Sequence, residues 1–310
     1  MIEVALMVEG QDGLNWPRWQ QIAQAAEDLG FIGLYRSDHY TNPVPPDKDS
    51  LELWVSLTWL ASHTKRIEFG SMVSPVSFRQ PTMTARMASA VDDLSGGRLT
   101  LGLGAGWNER EHKNYGWDLL DLPERFTRFE EGLEVITRLL NSDQPVNFEG
   151  KYYHLNEAIL LPRPGRPGGP TILIGGNGPK KTLPLVARFA SEWNAVFATP
   201  ESVKELNATL DQLLEAQGRA GTEVRRSLMT RLIYGKDEAA FKGKMNAAGR
   251  SQEQMQKMGI ITGNASQVVE HLGRVAEAGA KRVMLQWIET DDMAGLEAFA
   301  KEVLPQVKAS

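Results

Sequence analysis

The feature that most constrains the fold of this sequence is the alternation of short β-branched or aliphatic runs with longer amphipathic helical patterns. Such alternation is typical of repeated βα units around a parallel sheet. Eight strand candidates follow one another: Ile2–Val8, Ile32–Arg36, Ile67–Val73, Leu99–Gly104, Thr171–Ile174, Trp193–Phe197, Leu228–Ile233 and Arg282–Trp287. Because eight strands make the closed (β/α)8 barrel, the sequence predicts a TIM barrel of the α/β class.

Helices between these strands carry start and stop signals. Asn15 is a candidate N-cap for the first helix, and Gly30 follows its last residue. Another helix extends from Pro123 to Leu140 and has one apolar stripe, which should face the barrel. The residues of this stripe recur every three or four positions: Phe126, Phe129, Leu133, Ile136 and Leu140.

Two stretches break the rhythm and are predicted to be insertions on a single barrel domain that spans residues 1–310. The first covers about 142–170 and contains a candidate hairpin around Glu149–Lys151, followed by a proline-rich connector. The second covers about 235–262 and is polar, with a helical composition. It is equally compatible with a lid over the barrel mouth and with solvent-exposed helix.

Composition argues against several kinds of partner. The chain has 34 Lys and Arg against 39 Asp and Glu, so nothing in its charge favours nucleic acid. It contains no cysteine, which excludes disulfides, thiolate nucleophiles and iron–sulfur ligation. The five histidines lack the spacing of a metal site on one helix, so no protein-bound metal is expected. Without a signal peptide or a long apolar run, we expect a cytoplasmic protein with no membrane partner.

Two strand ends carry candidate residues for binding a ring system. In a parallel barrel, the active site is built from the loops that follow the carboxyl ends of the strands. Asp38 and His39 follow the second strand candidate and place a carboxylate beside an imidazole. Met72 and Val73 end the third candidate and could pack against a planar cofactor. Turn chemistry and ordinary core packing explain the same residues, so both interpretations stay open.

Two further strand ends are rich in glycine. The segment 102–109 after the fourth candidate allows close approach of a ligand to the backbone, although its spacing does not match a dinucleotide fingerprint. The segment 175–182 after the fifth candidate opens a helix and contains two lysines. Free N–H groups at a helix start attract an anion, and lysine adds positive charge. This pattern predicts a phosphate site, with a purely structural turn as the alternative.

Taken together, these motifs resemble the luciferase-like oxidoreductases, especially the branch that depends on coenzyme F420, a deazaflavin. The resemblance covers nearly the whole chain. The segments that carry it are Ala25–Phe31, Ser37–Tyr40, Val91–Leu99, Gly104–Glu109, Ile174–Gly178, Ala278–Ala280 and Arg282–Gln286.

The resemblance implies a role for each matching site residue. Asp38 and His39 would lie at the reactive edge of the cofactor ring and serve catalysis. Met72 and Val73 would support the face of the ring, through a cis peptide that is common in relatives. The other implied cofactor-binding residues are Gly104, Ala105, Asn108 at the cofactor tail, and Gly175, Gly176, Asn177, Gly178, Lys180 and Lys181 around the phosphate.

One position departs from the family pattern. The sugar-phosphate dehydrogenases of the family carry an acidic residue, a proposed proton donor, at the place of Ala105. Alanine cannot exchange a proton, so the departure argues against oxidation of a sugar phosphate.

The function that the resemblance implies is hydride transfer between coenzyme F420 and a small organic substrate, with His39 positioning the substrate or exchanging a proton. One alternative is a monooxygenase that uses FMN reduced by a separate flavin reductase, because both cofactors carry a phosphate on a ribityl chain. Another is a non-catalytic flavin-binding carrier or sensor, because a fold alone does not prove activity. Relatives commonly form dimers, so a homodimer is expected.

Overall fold

The computed structural model of the protein describes residues 2–307, so residues 1 and 308–310 of the predicted domain lie outside it. Within this range the chain forms the strands β1 (Glu3–Val8), β2 (Gly33–Arg36), β3 (Glu68–Ser71), β4 (Ser74–Pro75), β5 (Leu99–Gly104), β6 (Val146–Glu149), β7 (His154–Ala158), β8 (Thr171–Gly175), β9 (Glu192–Val196), β10 (Arg225–Tyr234), β11 (Ile261–Gly263) and β12 (Arg282–Gln286). Eight of them pair in parallel in the order β1-β2-β3-β5-β8-β9-β10-β12, and pairing of β12 with β1 closes the ring. The predicted (β/α)8 TIM barrel is confirmed.

Helices surround the barrel and begin and end at the predicted signals. The side chain of Asn15 accepts a hydrogen bond from the Arg18 N–H at 3.3 Å, and Gly30 adopts a φ of 85° directly after the first helix. The helices are α1 (Trp16–Asp28), α2 (Leu53–His63), α3 (Pro81–Ser95), α4 (Glu109–Tyr115), α5 (Leu122–Asn141), α6 (Thr182–Phe189), α7 (Pro200–Ala216), α8 (Glu238–Ala248), α9 (Gln252–Lys257), α10 (Ala265–Glu277) and α11 (Met293–Val307). None of them is long and apolar enough to cross a membrane, over the residues described.

The main hydrophobic core lies between the strands and the helices. The predicted stripe on α5 contributes Phe129, Leu133, Ile136 and Leu140, each at most 1% exposed. Full burial of such a side chain stabilises a fold by about 1.5–3 kcal/mol. The predicted orientation of α5 towards the barrel is therefore confirmed for these four residues.

A charged network closes the amino-terminal end of the barrel. Arg282 on β12 is fully buried, and its guanidinium contacts the carboxylates of Glu68 at 2.8 Å and Glu3 at 2.7 Å. It also donates to the hydroxyl of Tyr35 at 2.8 Å. These groups fill the floor of the barrel interior.

Both predicted insertions have defined structure. In the first, β6 and β7 form the predicted antiparallel hairpin, whose backbone N–H groups at Lys151 and Tyr152 each donate to Glu131 on α5 at 2.8 Å. The second contains α8 and α9 and ends in β11, which pairs with β10. Its apolar side chains Met245 and Met255 pack with Ile233 at the end of β10.

Candidate active site

A cavity opens at the carboxyl ends of the barrel strands. Its volume is about 540 Å³, which is within the range typical of small-molecule sites. Its wall comes from seven of the strand ends and from the first turns of α5. The sequence-predicted residues that line it are His39, Met72, Val73, Gly104, Ala105, Gly175 and Gly176. The fold thus brings residues that are distant in the sequence to one site.

One wall of the cavity consists of Val73 and the glycines around it. A Cβ atom added to Gly104 would lie 2.6 Å from Cγ2 of Val73, and one added to Gly175 would lie 3.2 Å from Cγ1. A larger residue at Gly104 would therefore displace Val73. The peptide bond between Met72 and Val73 is cis, as the resemblance implies. Together these residues form an apolar platform suited to one face of a planar ring.

His39 lines the same cavity and is held by Glu111 from α4. Its Nδ1 lies 3.0 Å from Oε1 of Glu111, and the two side chains are 12% and 1% exposed. The carboxylate of Glu111 also accepts the backbone N–H groups of Tyr40 at 2.6 Å and Thr41 at 3.4 Å. The other ring nitrogen of His39, Nε2, has no hydrogen-bond partner within residues 2–307. Nε2 is therefore the nitrogen available to a ligand.

Opposing effects act on the pKa of His39. Burial lowers this pKa, because it penalises the charged imidazolium. The hydrogen bond to Glu111 and its negative charge raise the pKa, and the charges of Glu9 and Asp38 add to this effect. The second group of effects prevails, so the pKa of His39 is raised above its ordinary value. His39 therefore keeps its proton to a higher pH than an ordinary histidine does.

The glycine-rich turn after β8 is fixed to the neighbouring strand. The side-chain amide of Asn177 donates to the carbonyl of Val196 at 2.7 Å and accepts its N–H at 2.9 Å. Gly176 has a φ of 128°, which favours glycine. A Cβ atom added to Gly178 would lie 2.9 Å from Oγ1 of Thr182, the first residue of α6. The turn therefore brings its backbone close to the helix start, where Thr182 lines the cavity.

Arg125 on α5 adds positive charge to the cavity wall. Its guanidinium donates to the carbonyls of Gly106 at 3.2 Å and Leu120 at 3.0 Å. The Nε atom is buried and has no acceptor among the described residues. A buried N–H without a partner costs roughly 1–3 kcal/mol. Among the described residues the guanidinium is hydrogen-bonded to these two neutral carbonyls, so its positive charge can attract an anionic ligand in the cavity.

Comparison with known proteins identifies the family to which this barrel belongs. The family model described as luciferase-like monooxygenase matches residues 4–295. The chain belongs to the luciferase-like monooxygenase family. The resemblance inferred from the sequence motifs is therefore confirmed.

Several relatives of this luciferase-like chain have assigned activities. The F420-dependent glucose-6-phosphate dehydrogenase of Amycolatopsis mediterranei (strain U-32) is 26% identical over an alignment of 324 positions. The alignment covers 93% of this chain and 94% of the relative. A 4-hydroxyprotoasukamycin monooxygenase of Streptomyces nodosus subsp. asukaensis is 26% identical over an alignment of 342 positions. That alignment covers 97% of this chain and 90% of the relative. The solved F420-dependent secondary alcohol dehydrogenase in complex with an F420-acetone adduct has a TM-score of 0.86 at 18% identity, over 99% of both chains. The protein is an oxidoreductase of the luciferase-like class.

Some residues expected in the luciferase-like site lie outside the cavity wall. Asp38 is buried, where it accepts hydrogen bonds from Ser74 at 2.7 Å and from Arg79. Asn108 caps α4 by accepting the N–H of Glu111 at 3.3 Å. Lys180 and Lys181 are exposed. The predicted residues that do not line the cavity are Asp38, Asn108, Asn177, Gly178, Lys180 and Lys181. Their predicted contacts with a cofactor stay predictions.

Sequence reasoning missed several residues that the luciferase-like barrel brings to the site. Glu111 stands three residues after Asn108, a spacing that by itself indicates only a capped helix. Arg125 lies in the polar part of the α5 pattern and carried no signal of its own. Trp107 and Phe126, which also line the cavity, were not missed: Trp107 belongs to the glycine-rich segment 102–109 and Phe126 to the apolar stripe of α5. No residue of the second insertion is part of the wall. Of the two interpretations left open for this insertion, a lid and solvent-exposed helix, the wall gives no support to the lid.

Proposed function

We propose that this oxidoreductase transfers a hydride between coenzyme F420 and a small organic substrate. The observation that carries the proposal is His39, whose free Nε2 belongs to the same cavity as the Val73 platform. The name of the Amycolatopsis relative supports F420 as the cofactor. When bound, the deazaflavin would supply the acceptor or donor of the hydride.

The residues of the cavity fit such a cofactor. The Val73 platform would contact one face of the ring, because Gly104 and Gly175 leave space beside it. The turn at Gly175 and Gly176 and the positive charge of Arg125 would hold the phosphate. His39 would then exchange a proton at the substrate oxygen through Nε2.

The cavity does not favour a sugar phosphate as the substrate. Ala105 lines the cavity where the sugar-phosphate dehydrogenases of the family have an acid. Within residues 2–307 the wall contains one arginine, Arg125, and no lysine. If Arg125 binds the cofactor phosphate, no second strong cation is left for a substrate phosphate. The apolar side chains of Trp107 and Phe126 favour a largely uncharged substrate.

A monooxygenase that uses reduced FMN is the second candidate. The Streptomyces nodosus relative, a named monooxygenase, supports it. The phosphate site does not distinguish the two cofactors, since both carry a phosphate on a ribityl chain. FMN chemistry would also need a separate reductase as a partner.

Titration of the purified protein with each cofactor, followed by fluorescence, tests the assignment. We expect saturable F420 binding and much weaker FMN binding. Tight binding of FMN without binding of F420 would replace the first proposal by the second. Binding without turnover across a panel of alcohols and carbonyl compounds would favour a carrier or sensor.

Replacement of Arg125 by Met is expected to weaken the binding of the phosphorylated cofactor by about 10- to 100-fold, since a hydrogen bond to a charged group contributes roughly 1.5–3 kcal/mol. Binding of the phosphate-free deazaflavin should change little. The measurement compares the Kd of both ligands in both proteins.

Arg128→Met is the matched control for the Arg125 variant. Arg128 lies one turn further along α5 and outside the cavity wall, and it donates to the carbonyl of Asp118 at 2.8 Å. The Arg128→Met variant loses the same positive charge, but its affinity for the cofactor should stay native. Equal losses for the phosphorylated and phosphate-free ligands in Arg125→Met would show that Arg125 does not bind the phosphate.

A further inference from the structure

We infer that Glu111 is a positioning residue for proton transfer, which fixes the Nδ1–H tautomer of His39 and compensates the charge of the imidazolium while Nε2 holds the substrate proton. The inference rests on the proposed function for its chemical meaning. Its geometric basis, the contact between Glu111 and His39, is independent of the cofactor.

Glu111 is buried, and its carboxylate is hydrogen-bonded to the loop that follows β2. Its side chain is 1% exposed, so its carboxylate needs donors from the protein. Two are the fixed backbone N–H groups of Tyr40 and Thr41. The third contact is Nδ1 of His39 at 3.0 Å. A carboxylate can only accept here, so Nδ1 must carry a proton in both charge states of the ring.

Glu111 lies in the first turn of α4. It occupies the third position after the N-cap Asn108, where a Glu side chain commonly bonds back to the backbone N–H of the N-cap residue. Here the side chain instead contacts three consecutive residues after β2: His39, Tyr40 and Thr41. The carboxylate therefore joins α4 to the loop that carries the imidazole.

Within the described chain, Nε2 is the free ring nitrogen of His39. With Nδ1 bonded to Glu111, Nε2 is left as the proton acceptor when the ring is neutral. Ring rotation is restricted on one side by Trp107, whose ring centroid lies 5.5 Å from that of His39 at an interplanar angle of 80°. Because His39 lines the cavity, a substrate hydroxyl there meets an acceptor in a fixed orientation.

The proposed step balances for an alcohol that is oxidised to a carbonyl compound. The C–H bond would break and its hydrogen would leave with the bonding electron pair as a hydride, for which the deazaflavin is the proposed acceptor. The O–H bond would break as its proton moves to Nε2 of His39. The C=O double bond forms, and the imidazolium then returns its proton to water. The carboxylate of Glu111 would lower the free energy of the imidazolium.

Other charged groups also face His39. Glu9, which follows β1, and Asp38, on the same loop, both favour the imidazolium. Asp38 is already paired with Arg79, whose positive charge offsets part of its effect. Glu111 differs from both because it makes the direct hydrogen bond to the ring.

Nuclear magnetic resonance of the cofactor-free full chain with 15N-labelled histidine tests the inference. The His39 signals are assigned by comparison with a His39→Gln variant. In the native protein we expect the neutral ring as the Nδ1–H tautomer and a pKa above the ordinary histidine value. Glu111→Gln should lower that pKa by about 1 to 3, the range for loss of an adjacent opposite charge.

Glu109→Gln is the matched control. Glu109 lies on the same helix and loses the same charge, but it is exposed and makes no contact with His39. The pKa of His39 should stay native in this variant. An Nε2–H tautomer in the native protein, or equal pKa values in native and Glu111→Gln proteins, would overturn the inference. If Glu111→Gln does not fold, the native tautomer alone decides.

The pH profile of turnover connects the dyad to catalysis. Alcohol oxidation needs the neutral ring, so its rate rises as the pH passes above the pKa of His39. Glu111→Gln should move this rise to lower pH, whereas Glu109→Gln should not. An unchanged profile in Glu111→Gln together with a lowered pKa of His39 would show that His39 does not carry the proton. Failure of F420 to bind would count against the proposed function and leave the resonance result intact.

Discussion

His39→Ala is expected to reduce turnover of the F420-loaded enzyme by about 10²- to 10⁴-fold, the usual contribution of a general acid or base. Affinity for the cofactor should stay close to native, because the platform and the phosphate turn do not involve His39. Single-turnover kinetics with an alcohol or carbonyl substrate that the native enzyme accepts, and fluorescence titration of the cofactor, give the two measurements.

A variant on the first insertion provides the control for His39→Ala. His154 lies on β7, pairs with Glu149 at 2.9 Å and is 59% exposed, so His154→Ala should leave both measurements native. Native turnover in His39→Ala would remove the imidazole from the mechanism. Loss of cofactor binding in that variant would instead assign His39 to the binding of the ring.

All eight barrel strands could be predicted from the sequence because each contains a short run rich in aliphatic or β-branched residues between two helical patterns. Their ends were harder to place. The predicted strand Leu228–Ile233 is in fact β10, Arg225–Tyr234, which begins with two arginines. Arg225 faces the floor of the barrel, where it lies 3.5 Å from Glu192. A hydrophobic pattern cannot reveal such positions, since charged residues inside a barrel depend on partners from other strands.

The residues of the candidate site could also be predicted only in part. Local chemistry predicted the glycine turn and His39, since each lies directly after a strand. Glu111 and Arg125 were missed because they reach the site from helices. Only the folded chain brings Glu111 to the loop after β2 and Arg125 to the segment after β5. The position of Asp38 shows the reverse case, because its sequence neighbour His39 lines the cavity while its own carboxylate is buried against Arg79.

The floor of the barrel contains a buried network of charges. Glu192 and Arg282 are fully buried, and burial raises the pKa of Glu192 although the charges of Arg282 and Arg225 oppose the shift. Arg282 also holds Glu3 and Glu68. Removal of Arg282 would leave the carboxylates of Glu3, Glu68 and Glu192 without their shared cation. In the described chain the nearest remaining cation is Arg225, which is half-buried at the edge of the network.

Arg282→Met is therefore expected to lower the free energy of unfolding by about 3–5 kcal/mol, the usual cost of leaving a buried charge unpaired. Without Arg282 the folded-state pKa of Glu192 should rise further. A group with a raised folded-state pKa contributes stability at low pH and loses it as the pH rises through that pKa. Urea unfolding should therefore show a smaller loss of unfolding free energy at about pH 5 than at about pH 8.

Lys257→Met is the control. It removes the exposed pair with Glu253 and should leave the free energy of unfolding nearly unchanged at both pH values. Equal stability of Arg282→Met and Lys257→Met would mean that the floor of the barrel does not depend on its buried charge.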